Sequence, residues 1–550
     1  MIAFKSTGPS QATDEYPALE TLKGFAVLEG ADGAGAPTTL LKAATSAFSE
    51  STRMRFVACE GVGDEKCADK SLSVAAYLLP CTERNNLGCI IEVYAKSKSG
   101  EKISASFQRS VAINPSTDFE QVIDNRIPAG KGMGGLWRFP NLNHGGNTDL
   151  YAVQVRVAGF NQTPLESNTA VFDSAQFQIS AVTQVLGPYS EPKVEIVAES
   201  LAYSGIDIEC VMNERGLCFK RTSLPEDFRF GMKVRLPNSI IGWFHGRISK
   251  PEFSIRKSDE VLPGTFEYEI EAEPVKVPIV NKLIPYGQWS KEFSEYIGQQ
   301  WPMSNGGGII LPGNAGRLAL ETTKRFLPMI DDKATSSGDF WLVKTLNGWR
   351  DGKINEAVDS RTIECSLGAT EVSGVVTTNS MVYSQGPPTF NQVTQTLDYR
   401  VLSPHLDETG KENLGTYDLL LNSRVARCIY GFGEAPLRAE IEVVSDDGTA
   451  RIATTVLGER GPWLFLSASG FTFSEPVVRV KLSQQEPIPI SSPAPAPSPS
   501  PQTAVSPSVQ SPKSSYVFPP KKKTITCTNG LKKRKITSSS PKCPKGFKRI

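Results

Sequence analysis

Apolar positions along this chain recur at every second residue far more often than at helical spacing. In residues 149–160, DLYAVQVRVAGF, Val153, Val155 and Val157 alternate with Gln154 and Arg156, and AQFQISAV at 175–182 repeats the pattern with Phe177 and Ile179. Successive side chains of a strand point to opposite faces, so these runs predict half-buried strands. The run TFEYEIEAEP separates its faces completely, with Phe266, Tyr268, Ile270 and Ala272 on one side and Glu267, Glu269, Glu271 and Glu273 on the other. Four carboxylates about 7 Å apart could form a cation ladder for calcium. The expected arrangement is instead an outer face opposite Arg and Lys from MKVRLP or SIRKSD, where cross-strand pairs stabilise the sheet and discourage edge aggregation.

The texture changes between 286 and 350. SKEFSEYIGQQW places Phe293, Tyr296, Ile297 and Trp301 at helical spacing, and AGRLALETTKRFLPMI continues with Leu318, Leu320, Phe326 and Leu327. Two short helices inserted into a β scaffold are predicted. From 380 to 484 strand patterns resume in TLDYRVL, YDLLLN, VARCIYGF, AEIEVV, RIATTVL, PWLFLSA and PVVRVKL, with turn residues between them. Regular short strands of this kind predict a sandwich. The 62 residues between Cys365 and Cys428 match the spacing of an immunoglobulin intersheet bridge, but Ala426 stands where the corner tyrosine belongs, so a β-sandwich outside that family is expected.

The predicted fold is therefore mainly β: tandem disulfide-stapled, sandwich-like domains with a short α-helical insertion. The expected segments are a β domain at 15–188 with two C-x7-C hairpins, a second at 189–379 holding the insertion at 286–350, and a sandwich at 380–485. A Pro/Ser-rich disordered linker at 486–520 and a basic tail at 521–550 follow. The length suits about three domains that each bury a core. No apolar run approaches the ~20 residues of a membrane span.

Ten cysteines sharpen this picture. Cys59 and Cys67, Cys81 and Cys89, and Cys210 and Cys218 are each eight apart, and each pair encloses residues that favour a chain reversal. Opposed positions of an antiparallel ladder lie at disulfide separation, about 4.5 to 5.5 Å. Local pairing is the expectation, with Cys365–Cys428 and Cys527–Cys543 as the simplest partners for the rest. A nested Cys59–Cys89 and Cys67–Cys81 arrangement also satisfies the count. The spacing differs from that of zinc knuckles, so no metal or other cofactor is expected. This cysteine usage predicts an oxidising compartment.

Charge divides the chain. Residues 521–550 hold 11 of the 59 Lys and Arg and none of the 58 Asp and Glu, leaving the remainder with a net charge of −10. Lys521, Lys522, Lys523, Lys532, Lys533, Arg534, Lys535, Lys542, Lys545, Lys548 and Arg549 form a candidate polyanion-binding end. The 34 residues of 487–520, extended at ~3.1 Å each, would reach about 100 Å. Stalk, tail and cysteines together predict an exported protein at the cell surface. The start, MIAFKSTGPSQATDEY, has no apolar leader core, and a leader upstream of Met1 is the expectation that reconciles the two.

Catalytic motifs are scarce. His144, His245 and His405 are the only histidines, and no G-x-S-x-G, H-E-x-x-H, EF-hand, Walker or dinucleotide signature occurs. The glycine stretches at 130–135 and 306–308 lack the strand-to-helix context of a phosphate loop and predict flexible connections. Trp289, Trp301, Trp341 and Trp349 hold four of the seven tryptophans. They would either cover a small core or form a platform for a glycan or protein ligand. Carboxylate pairs leave no local signature, and Asp331, Asp332 and Asp339 are the first choice for acids of a polysaccharide hydrolase. The leading expectation is an exported, non-catalytic adhesion or binding protein held by its tail to an anionic envelope polymer. A secreted polysaccharide hydrolase is the alternative, and a nucleic-acid binder using the tail the least favoured.

The tail itself, TITCTNGLKKRKITSSSPKCPKGFK, resembles a lysine-rich motif, ITC…K-K-x-T…PKCPKGYK, that recurs behind Pro/Ser linkers in secreted and surface proteins of actinobacteria. The matching residues are Ile525, Cys527, Lys532, Lys533, Ile536, Pro541, Cys543, Pro544, Gly546 and Phe547. The resemblance covers about 30 residues and implies location, because such tails are joined to unrelated bodies. GWFHGRISKPEFSI similarly resembles the middle of large uncharacterised exported proteins of such bacteria. Asn529-Gly530 supplies a tight turn after TITCT, which could form one strand of a small hairpin clipped by Cys527–Cys543.

Overall fold

The computed structural model describes residues 24–28, 39–44, 56–186 and 193–484 with breaks, of which 347–358 is the longest, and parts of 523–549. The linker expected at 486–520, together with Trp301 and Trp349, lies outside the described residues. The chain divides into two compact units, Met1–Pro487 and Ile488–Ile550. Among the described residues, no helix is long and apolar enough to cross a membrane.

The first unit is mainly β and is organised by one large sheet. In spatial order its main path runs Phe56–Ala58, Leu40–Ala44, Leu72–Tyr77, Leu150–Asn161, Val171–Leu186, Leu342–Thr345, Gly242–Arg247, Val372–Thr378, Leu414–Asn422, Trp463–Thr472 and Val456–Arg460. The segment boundaries expected at 188/189 and 379/380 are crossed by this sheet, because strands from all three segments hydrogen-bond within it. Gly242–Arg247, for example, lies between Leu342–Thr345, antiparallel, and Val372–Thr378, parallel.

Alternation along these strands builds two sandwiches on opposite faces of the same sheet. Val153, Val155, Phe177, Phe244, Val375 and Leu420 pack with Val93, Met232, Val234, Tyr268 and Ile270 of a five-stranded sheet in one core. The neighbours Val376, Leu419, Leu421 and Leu466 turn the other way. They meet Leu397, Tyr399, Ile441, Val478 and Val480 of a six-stranded sheet in a second core. The sandwich expected at 380–485 is this second pair of layers.

Helices form at the two places expected. Helix α1, Lys291–Gln300, buries Phe293 and Ile297, and α2, Arg317–Phe326, buries Ala319, Leu320 and Phe326 against the strand Val275–Ile279. Two more helices were not foreseen: α3, Ser360–Leu367, and α4, Ser423–Tyr430. The run VARCIYGF, expected as a strand, supplies most of α4. Val425, Ala426 and Ile429 are buried on one side, which is helical spacing. The Asn422 side chain accepts from the Arg424 amide at 3.0 Å, and Gly431, at φ 71°, closes the C-terminus in the left-handed region. The Cys365–Cys428 disulfide consequently joins α3 to α4 instead of bridging two sheets.

The cysteines pair locally. Cα–Cα distances are 6.0 Å for Cys59–Cys67, 4.9 Å for Cys81–Cys89 and 5.3 Å for Cys210–Cys218. The last joins the antiparallel strands Cys210–Glu214 and Leu217–Arg221, whereas Cys59–Cys67 closes a loop of turns with no ladder. Cys543 is also disulfide-bonded.

In the second unit Lys523–Thr528 pairs antiparallel with both Lys533–Ser538 and Lys548–Arg549. The segment TITCT forms a strand of an antiparallel pair, as expected, with a third strand added, and the expected turn at Asn529-Gly530 lies outside the described residues. The register opposes Thr526 to Lys535 and Thr528 to Lys533, and Thr528 to Lys548 on the other side.

Candidate functional site

The glutamate run on Phe266–Glu273 is a natural first place to look, and its chemistry is already satisfied. Glu271 accepts from the Tyr94 hydroxyl at 3.0 Å and from Arg229 Nε at 3.0 Å, and it is ion-paired with Lys96. Glu267 lies 3.1 Å from Lys233 and 3.5 Å from Arg256, and Glu273 lies 2.9 Å from Lys250. Lys233 and Arg256 come from MKVRLP and SIRKSD, as the alternation required. Burial pushes the Glu271 carboxyl up, but hydrogen bonds from Lys96, Arg229 and Tyr94 outweigh it and hold the group below its ordinary value. Among the described residues no group of three or more His, Cys, Asp and Glu could hold a metal ion.

The histidines are structural too. His144 Nδ1 accepts from the Gly146 amide at 3.0 Å and its Nε2 lies 2.9 Å from the Leu150 carbonyl, so the ring ties a turn together. His245 is wholly buried, with Nδ1 3.2 Å from the Tyr383 hydroxyl. Burial first, then the charges of Lys344 and Arg247, hold its pKa well below the usual range. His405 lies 3.5 Å from Glu412 at the surface.

Asp332 accepts from the His405 amide and Asp339 from the Leu224 amide, both at 2.9 Å, while Asp331 closes a short helix in the left-handed region. The carboxylates of Asp332 and Asp339 hold the main chain, and Asp331 acts through its backbone. Trp341 is 1% exposed and its indole donates to the Ala272 carbonyl, so it is a core side chain with no surface to offer. Trp289 is half-buried on the helical insertion, tilted against Tyr286 and edge-on to Phe293, and donates to the Ile284 carbonyl. The two described members of this candidate set, Trp289 and Trp341, therefore serve different cores.

A cleft elsewhere has open chemistry. It encloses about 430 Å3 between the strand Leu40–Ala44, the Cys59–Cys67 loop and the segment 118–131. That volume is in the range of small-ligand sites, roughly 300–1,000 Å3. Leu41, Val62, Phe119, Val122 and Ile127 supply hydrocarbon, and Glu60, Asp118, Glu120, Gln121 and Lys131 supply polar groups.

Each wall is fixed by the chain around it. The Cys59 amide donates to the Leu41 carbonyl at 2.8 Å, and the Asp64 side chain accepts from the amides of Glu60 and Lys66, so the disulfide loop is pinned at its base and across its turn. Opposite, residues 119–130 fold back through paired main-chain bonds between Phe119 and Gly130 and between Val122 and Ile127. Arg126, at φ 55°, caps that turn and donates to the carbonyls of Pro237, Pro263 and Gly264. The Gln121 side chain accepts from the Leu87 amide, within the Cys81–Cys89 loop. Two of the C-x7-C loops thus support one cleft.

The glycines at 130–135, expected as a flexible connection, are a close-packed corner. Gly132 has φ 56°, and a Cβ there would sit 2.0 Å from the Val111 carbonyl oxygen. Its amide donates to Asp118 Oδ1 at 2.8 Å. Burial pushes the Asp118 carboxyl above its ordinary value; the Gly132 amide and Lys131 offset this in part. Lys131 lies 3.4 Å from Glu120. Sequence reasoning missed Glu60 and Asp118 because they reach the cleft from loops nearly sixty residues apart. The one local signal was the Cys59–Cys67 loop, whose interior EGVGDEK opens with Glu60.

No protein-family model, curated protein or solved structure matches this chain.

Proposed function

We propose that the chain is an exported, non-catalytic surface protein in which a basic tail holds an anionic envelope polymer and the β body presents a binding face. The tail carries the reading: it belongs to a separate compact unit, and its thirty residues contain eleven cations and no acid. Such a surface attracts polyanions through many contacts whose sum falls with salt. The body supports the same reading through its local disulfides, which fit an oxidising compartment, and through histidines and carboxylates occupied in holding the fold. Its ligand is a glycan or a protein met at the surface.

Deleting 521–550 is expected to release the protein from envelope preparations, and raised salt to release the intact chain. Unchanged retention after the deletion would sink the anchoring idea. Release of reducing sugar from envelope polysaccharide by the intact chain would favour the hydrolase alternative instead.

A further inference from the structure

The cleft combines a hydrocarbon floor with three carboxylates and one ammonium, a mixture that selects for one kind of guest. We infer that it takes the basic side chain of an extended peptide from a partner protein, the aliphatic stem resting on Leu41 and Phe119 and the cationic head meeting Asp118 and Glu60. This rests on the reading of the body as a binding face and names what that face recognises.

Of the three carboxylates, Glu120 has its cation in Lys131. Asp118 spends one oxygen on the Gly132 amide, and among the described residues its other oxygen has no hydrogen-bond partner. A half-buried carboxylate in this state repels anions and gains from a cation that replaces lost water. The ionic rim is net acidic, Glu60, Asp118 and Glu120 against Lys131, which favours a cationic guest over a neutral sugar. Lysine and arginine carry a methylene stem that packs on apolar surface with a charged head beyond it, which fits this floor and rim. The turn closed by Val122 and Ile127 carries Ile123, 45% exposed, so apolar surface continues past the cleft to where residues flanking the basic side chain would lie. That continuation favours a peptide over a free amine.

The full chain can be titrated by calorimetry with acetyl-Phe-Lys-Phe-amide, with acetyl-Phe-Gln-Phe-amide and with pentane-1,5-diamine. The lysine peptide is expected to bind about tenfold more tightly than either of the others, the ratio that one well-placed charge contact supplies. The preference should shrink in Glu60→Gln, an exposed position, and vanish in Asp118→Asn combined with Glu60→Gln, with the far-ultraviolet circular dichroism unchanged. Equal binding of the two peptides, a lysine preference that survives the double substitution, or a diamine that binds as tightly as the lysine peptide would each overturn the inference. If the tail still retains the protein while the cleft ignores lysine, this inference falls and the surface-protein reading stands. If the tail deletion leaves the chain attached, that reading falls whatever the cleft binds.

Discussion

Two groups of carboxylates in this body meet opposite fates in the fold. Glu267, Glu271 and Glu273 lie on a strand, each with Lys or Arg in reach, and Glu271 also accepts from Tyr94. Glu60 and Asp118 lie on loops beside hydrocarbon, and Asp118 is bonded by a main-chain amide alone. The first group satisfies its charges within the fold and so has nothing left to offer a ligand. In the second, a half-buried Asp118 with no ion pair among the described residues and an exposed Glu60 leave chemistry available beside an apolar cleft, which is the usual mark of a binding position.

The comparison can be broken from either side. The largest expected effect comes from Glu271→Ala, which removes the carboxylate that Lys96, Arg229 and Tyr94 share and leaves Arg229 with Glu252 and Glu273, each at 3.6 Å, and Tyr94 with Glu269 at 3.2 Å. Breaking a mostly buried pair of this kind should cost about 3 kcal/mol of unfolding free energy, read by chemical denaturation. Binding at the cleft should be unaffected in the fraction that remains folded. Next comes Cys59→Ser combined with Cys67→Ser, which frees a short loop and should cost about 2.5 kcal/mol by the chain-entropy relation. That change acts on the cleft wall, so amide exchange should accelerate across 59–67 and lysine-peptide binding should weaken, while exchange along Phe266–Glu273 stays slow.

How legible these regions were follows from the distance over which each is built. The glutamate strand could be read from period-two alternation, and its cations from short neighbouring runs, because one ladder decides both. The disulfide partners Cys81 and Cys89 likewise close over eight residues. Helix α4 was misread because eight residues with several apolar side chains fit either period, and the N-cap Asn422 and the stop at Gly431 were the better guide. The large sheet was hidden by long-range pairing such as Gly242–Arg247 with Val372–Thr378, which no local pattern encodes. His245 and Arg247 are both fully buried on a strand whose residues are all inside, so alternation gives no warning there. The cleft joins positions 41, 60–62 and 118–131, and its corner glycines imitate a flexible loop until the packing against Val111 is seen.

Acidification separates the two groups by sign. Glu271 and Glu267 are held below their unfolded value of 4.5, so the stability they contribute is complete above that pH and is lost as pH falls through their folded values. Asp118 is held above its unfolded value of 3.8, so it opposes folding at neutral pH, and that penalty is relieved as pH falls through its folded value. Site-resolved carboxyl carbon titration, with and without acetyl-Phe-Lys-Phe-amide, tests the contrast most directly. The expected result is that Asp118 titrates above a free aspartate and moves down when the peptide is present, while Glu271 titrates below a free glutamate and does not respond. An Asp118 carboxyl that ignores the peptide, or a Glu271 that follows it, would contradict the account.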